Sequence, residues 1–169
     1  MKKLITAALL LLCVYSVDAQ PAELRVKLGG FTNYDPAFYN TIVPMTGLSV
    51  LFKPMNGPLQ LGPVIELGID GPDVLLSAGA DFNFLIGLRR GIKVYPGIDM
   101  RMMNAYHDVG FSFGTHAGLS IPLVPKLSFN VEAGPRVMWF NRYPTYTDAY
   151  PVNHSYVVGS GSIGLRIAL

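Results

Sequence analysis

Few residues in the chain have side chains suited to chemistry, and one group of them shares a spacing. Ser112, His116 and Ser120 recur at even intervals, with Glu132 further along. In an extended chain, even spacing puts side chains on one face. A hydroxyl, an imidazole and a carboxylate can serve as nucleophile, base and orienting group of a hydrolase. The same groups also make a hydrogen-bond network that fills a polar interior, and that is the reading adopted. His107, Asp108 and His154 have metal-ligand chemistry. Two histidines from separate loops read as solvated loop residues, so no metal and no cofactor is expected. The 18 glycines form no phosphate loop, dinucleotide fingerprint or solenoid repeat.

The elements that carry these residues must suit a chain that avoids charge. Only 14% of its 169 residues are charged and half are hydrophobic; a soluble domain carries about 25% charged residues. Mean hydropathy is +0.35. Transmembrane helices are excluded, because they need roughly 18 or more consecutive apolar residues. The one long apolar run, Leu4 to Val17, is shorter and follows Lys2 and Lys3. A basic start, a short apolar stretch and Val17-Asp18-Ala19 describe a secretory signal peptide over residues 1–19, cleaved to start the mature domain (20–169) at Gln20. Cys13 is followed through to the same conclusion. Leu12 stands where a lipobox needs a small residue, so lipidation is not expected and the mature chain has no cysteine. Removing Lys2, Lys3 and Asp18 from 13 basic and 11 acidic residues leaves eleven against ten. That near balance gives no basic face for nucleic acid.

Period-two alternation runs through the mature chain. Leu24, Val26 and Leu28 oppose Arg25, Lys27 and Gly29; Leu48, Val50 and Phe52 oppose Gly47, Ser49 and Lys53, with Leu51 an apolar intruder. Segments around 59–70, 74–84, 92–102, 109–121, 127–139 and 157–169 alternate in the same way. Eight such segments, with an apolar face and a polar or small one, predict an all-β fold: an eight-stranded antiparallel up-and-down transmembrane β-barrel. A soluble sandwich also alternates. The polar face, however, holds six basic residues (Arg25, Lys27, Lys93, Arg101, Arg136, Arg166) and five acidic ones (Glu66, Asp70, Asp81, Asp99, Glu132). Near balance is what a narrow lumen requires, because buried charges must be paired. The expected lumen charge network is Arg25, Lys27, Glu66, Asp81, Asp99, Arg101, His116, Glu132, Arg136 and Arg166. Eight strands leave room for side chains or one small ligand, so a filled, non-conducting lumen is expected.

Connections alternate in length. Met55-Asn56-Gly57-Pro58, Leu88-Arg89-Arg90 and Pro122-Leu123-Val124-Pro125 read as short inner turns. Asn33–Met45 and Asn141–His154 read as long outer loops, Asn104–Asp108 as intermediate and Gly71-Pro72-Asp73 as tight. Tyr34, Tyr39, Tyr143, Tyr146 and Tyr150 in the long loops are a candidate binding surface or interface anchors. Pro63, Pro96 and Pro135 fall within strands, each beside a glycine (Gly62, Gly97, Gly134), and are read as bulges or strong bends on the lipid face.

Glu132-Ala133-Gly134-Pro135 and Leu61-Gly62-Pro63-Val64-Ile65-Glu66-Leu67-Gly68 carry a resemblance to small bacterial outer-membrane β-barrels: PorT-like barrels, and more loosely the OmpX type. It covers nearly the whole mature chain. The resemblance implies insertion in the outer membrane and no shared enzymatic activity. Some such barrels deacylate lipid A, but their His-x-Ser-Asn run is absent here. The expected function is therefore a non-enzymatic outer-membrane barrel with a side-chain-filled polar lumen and a structural or loop-mediated binding role. Its partners would be outer-membrane lipid and lipopolysaccharide, the assembly machinery that meets its closing strand, and an unidentified extracellular ligand or envelope protein. The alternatives are a secreted soluble β-protein and a lipid-modifying enzyme.

Overall fold

The computed structural model describes residues 22–35, 38–54, 57–70, 73–105, 108–142 and 152–169. The expected signal segment and Tyr143, Tyr146 and Tyr150 lie outside them. The strands are β1 (Ala22–Asp35), β2 (Phe38–Phe52), β3 (Leu59–Asp70), β4 (Asp73–Phe84), β5 (Ile86–Gly87), β6 (Lys93–Ala105), β7 (Asp108–Val124), β8 (Leu127–Arg142) and β9 (Val152–Ala168). Eight are long, and β5 is a two-residue piece. Each long strand has at least 12 residues, enough for the roughly 9–11 that a tilted strand needs to cross hydrocarbon.

Sequential neighbours other than β4 and β5 pair antiparallel, and two further ladders close the sheet: β4 pairs with β6, and β1 pairs with β9 from Glu23–Ala168 to Phe31–Ser160. Following paired residues round the wall from Arg25 leads through Ser49, Val64, Gly79, Arg101, Ser112 and Met138 to Tyr156. The β1–β9 register, continued past Phe31–Ser160, sets Tyr156 level with Asp35, ten residues along β1 from the start. A stagger of this kind goes with strands tilted by roughly 35–45°.

Alternation sorts the two faces. Val26, Leu48, Ile65, Leu76, Phe111 and Leu165 face outward and are exposed, while Arg25, Ser49, Glu66, Ser77, Ser112 and Arg166 face inward and are buried. Leu51 keeps its parity and is fully buried inside. The outer surface reaches 73% exposure at Ile42 and 70% at Val157. A continuous apolar belt of this kind is foreign to soluble monomers, whose apolar patches seldom exceed a few hundred Å². Trp139 and Phe111, a cross-strand pair, are both exposed on it.

Two expectations need correction. The interior prolines do not make bulges. Register is constant past Pro63 in β3–β4, past Pro96 in β6–β7 and past Pro135 in β8–β9. Register shifts among the described residues occur only near strand ends, at Asn33/Asp35 and Pro122/Val124. A proline lacks only its donor, so the ladder on one side lapses without an inserted residue: β7–β8 pairing skips from Gly114–Arg136 to Ala117–Ala133. Second, the long outer loops are shorter than expected. Strands β1 and β2 extend to Asp35 and from Phe38, so Tyr34 and Tyr39 sit on strands. Likewise β8 reaches Arg142 and β9 starts at Val152. Asn33 and Thr41, which sequence reading assigns to a loop, pair with each other in the β1–β2 ladder.

At the inner end, Arg89–Gly91 form a tight turn with positive φ at Arg90 and Gly91. Gly91 adopts this conformation readily; Arg90 does so at a cost. Gly134 matters differently. A Cβ there would strike the Thr115 carbonyl oxygen, whereas one at Gly87 would meet open space. Gly134→Val should therefore abolish the compact, heat-modifiable band on an unboiled gel, and Gly87→Ala should keep it. A Gly134→Val protein that folds and melts like wild type would show that the close approach is unimportant.

Candidate functional site in the lumen

Every charge placed inside so narrow a barrel must find partners, because an isolated buried ion costs several kcal/mol (roughly) even after relaxation. The inward side chains answer this in tiers. Nearest the chain ends, Glu23 takes Lys53 at 2.7 Å, Arg166 Nε at 3.1 Å and the Gln60 amide at 2.8 Å. In the middle, Asp81 has no exposed surface and faces Lys27 at 3.0 Å, Arg101 at 3.2 Å and Arg25 at 4.0 Å. Glu132 faces Arg25 and Lys27, both at 2.9 Å, and accepts from Ser162 at 3.0 Å and Tyr95 at 3.3 Å. Further up, Asp99 meets Arg136 at 3.1 Å, Arg101 Nε at 3.3 Å and His116 Nδ1 at 3.4 Å. Glu66 meets Arg101 directly and Arg136 at 3.9 Å, and accepts from Ser77. Above these charges the interior turns apolar: Phe31, Val43, Met45, Leu75, Met103, Met138 and Val158 form one buried cluster.

The strands explain why these groups meet. Arg25 and Lys27 on β1 reach across the lumen to Asp81 on β4 and Glu132 on β8, at sequence separations of 54 and 107 residues for two of the bonds. Arg25 and Arg166 are direct cross-strand partners of like charge. The Tyr95 ring lies against both guanidinium groups, with centroids 5.3 Å from Arg25 and 5.1 Å from Arg166. Its π face gives each cation a favourable contact.

All ten residues of the sequence-derived network lie in the lumen, and each has at least one partner in it. Glu23, Lys53, Gln60, Asn83 and Tyr95 belong to it as well. Parity alone would have placed Glu23 with Arg25 and Tyr95 with Lys93. The Ser–His–Glu set does not assemble. His116 engages Asp99 and, through Nε2, the Asn83 Oδ1 at 2.8 Å. Glu132 is occupied by Arg25, Lys27, Tyr95 and Ser162, and Ser112 Oγ has no partner among the described residues. No metal-holding group of histidine, cysteine and carboxylates occurs among the described residues. His107 is not described; Asp108 and His154 stand on β7 and β9. A cavity of about 40 Å³ remains beside Glu66, Asp99, His116 and Glu132. That is space for about two or three waters.

No family model and no curated protein sequence matches the chain. Solved structures do. Neisserial surface protein A, a crystal structure, matches with a TM-score of 0.66 at 14% identity, over 88% of this chain and 97% of that one. A de novo designed transmembrane β-barrel matches with a TM-score of 0.52 at 12% identity, over 89% and 96%. Another designed barrel, solved by solution NMR, matches with 0.54 at 10% identity, over 90% and 98%. The fold is that of the small eight-stranded outer-membrane β-barrels.

Asp81→Asn should destabilise the barrel in micelles by about 3–5 kcal/mol, because three cations lose their shared anion. Combining Asp81→Leu with Lys27→Met should recover much of that loss, since an apolar pair needs no partner. Glu132→Lys should lower the unfolding temperature by several degrees. Urea titration and thermal melts of the four proteins check this; an unchanged Asp81→Asn midpoint would mean that water, not protein, solvates Asp81.

Proposed function

We propose that the protein is a non-enzymatic outer-membrane barrel whose interior is structural, leaving its wall and outer rim to meet partners. One observation carries this reading: the lumen is filled in series by ion pairs and by an apolar cluster. Ions would have to cross both. The tiers of Glu23, Asp81, Glu132, Asp99 and Glu66 already satisfy one another's cations, so no charged group is left poised for turnover. The apolar cluster of Phe31, Met45, Met103 and Met138 then denies the lumen a continuous wetted path. The apolar outer belt argues against the soluble alternative. Lipid and lipopolysaccharide around that belt, and the assembly machinery at the closing strand β9, are the partners this reading implies.

Reconstituted in planar bilayers, the protein should show no stable conductance steps, while an unboiled sample migrates as a compact band. Ordered, ion-selective steps from the folded protein would overturn the sealed lumen. Expression of His116→Ala beside wild type should leave the lipid A mass profile of the cells identical in both; a difference would restore the lipid-modifying alternative.

A further inference from the structure

The wall of the barrel is uneven on one side. Between β4 and β6 the ladder stops at Asn83–Gly97 and resumes at Ile86–Val94. Pro96 has no N–H to offer in that gap, and the Leu85 N–H donates instead to the Pro58 carbonyl at 2.7 Å. Between β7 and β8 the ladder lapses over Thr115–His116 and Gly134–Pro135. The cross-strand pair Gly97–His116 lies between the two gaps.

A groove of about 700 Å³ covers this region, within the ~300–1,000 Å³ range of small-molecule sites. Its lining is mostly apolar, with Phe82, Phe84, Pro96, Ile98 and Pro135 turned outward, and its polar residues are Asn83, Thr115 and His116. Asn83 is 1% exposed. Its Oδ1 accepts from His116, but its Nδ2 has no partner among the described residues. Asn83 and His116 lie over the inward side of Gly97, so this amide belongs to the lumen, and the groove offers a lipid mainly apolar side chains.

The inner end of the same hairpin is basic. Arg89 and Arg90, both exposed, form its turn, and Lys126 occupies the neighbouring inner turn. Gly91 on the first turn approaches Pro122 beside the second. No acidic residue occurs from Leu85 to Ile98 or from Ile121 to Val131. Basic groups at a membrane surface attract anionic headgroups.

We propose that this groove holds an acyl chain of an anionic phospholipid from the leaflet on the inner-turn side. Its phosphate meets Arg89 and Arg90, and its chain lies along Phe84, Pro96 and Pro135. The inference rests on the reading that the apolar belt lies in a bilayer. It goes beyond it in assigning one site, one leaflet and one headgroup charge.

Native mass spectrometry of the detergent-purified protein, offered equal phosphatidylglycerol and phosphatidylcholine with matched chains, tests it. Phosphatidylglycerol should be retained in about tenfold excess. Arg89→Gln with Arg90→Asn should bring the two lipids close to parity; Asn tolerates the positive φ at position 90. Ala133→Trp, which fills the groove from its outer side, should reduce retention of both. Equal retention by wild type, or a preference untouched by the arginine substitutions, would overturn the proposal. So would lipid retention unaffected by Ala133→Trp, or thermal stabilisation by inorganic phosphate alone that equals the effect of phosphatidylglycerol. Heat-modifiable migration is recorded for every sample. A folded barrel without lipid preference overturns the groove and leaves the fold intact, whereas wild-type protein with no compact band would overturn both readings.

Discussion

Closure of the sheet is the constraint on which everything else depends. In hydrocarbon no water is available to pair a free N–H or carbonyl, so a strand edge cannot be left open. The β1–β9 ladder removes both edges at once. Once the sheet is closed, each inward side chain is committed to a space bounded by backbone on all sides. The alternation of the strands then becomes an inventory of what that space must hold. An apolar cluster of seven side chains, further apolar groups such as Leu51 and Val64, and a set of ion pairs occupy it, and the barrel is narrow enough that the long side chains of Arg25, Arg101 and Arg136 span from one wall toward another.

Pro63, Pro96 and Pro135 show how far closure can be relaxed. Each removes one donor, and each stands on the lipid-facing side of its strand. None shifts the register of the strands it joins on its paired side. The lapse is thus local: a missing rung rather than a changed alignment. Gly62 and Gly134 beside two of them let the neighbouring strand's carbonyls, at Val50 and Thr115, come closer than a side chain would permit. The pairing lost at the proline is partly replaced by close packing of backbone on backbone.

Much of this was legible from the chain. Strand count, antiparallel order and the face of nearly every residue follow from period-two alternation, because a lipid-facing strand leaves no freedom in which side is apolar. The inward residues Arg25, Asp81, Arg101 and Glu132 were readable for the same reason. What alternation does not carry is height. Arg25 meets Glu132 across 107 residues of sequence, and that encounter depends on the stagger accumulated round eight strands. The apolar cluster is not legible because Val43, Leu75, Met103 and Met138 break the polar inward pattern only one or two residues per strand, and only the stagger brings them level. The ends of strands are hidden for a local reason: turn-forming residues such as Asn33, Asn40 and Asn141 also occur within the strands at the rim.

The ion pairs invite a question that stability alone does not answer, since replacing buried charges by packed apolar groups is often neutral or favourable. Register supplies a better account. A slip of one residue between β1 and its neighbours would turn Arg25 and Lys27 into lipid and Val26 into the lumen, which hydrophobicity forbids. A slip of two residues preserves the faces, and the apolar belt cannot detect it. It would, however, move Arg25 and Lys27 by about 7 Å along the strand, past the reach of their contacts with Asp81 and Glu132. Carboxylates on β4 and β8, held against cations from β1, therefore penalise the one class of misalignment that alternation leaves open. The charge in the lumen selects the alignment of the strands, and the strands in turn make that charge tolerable.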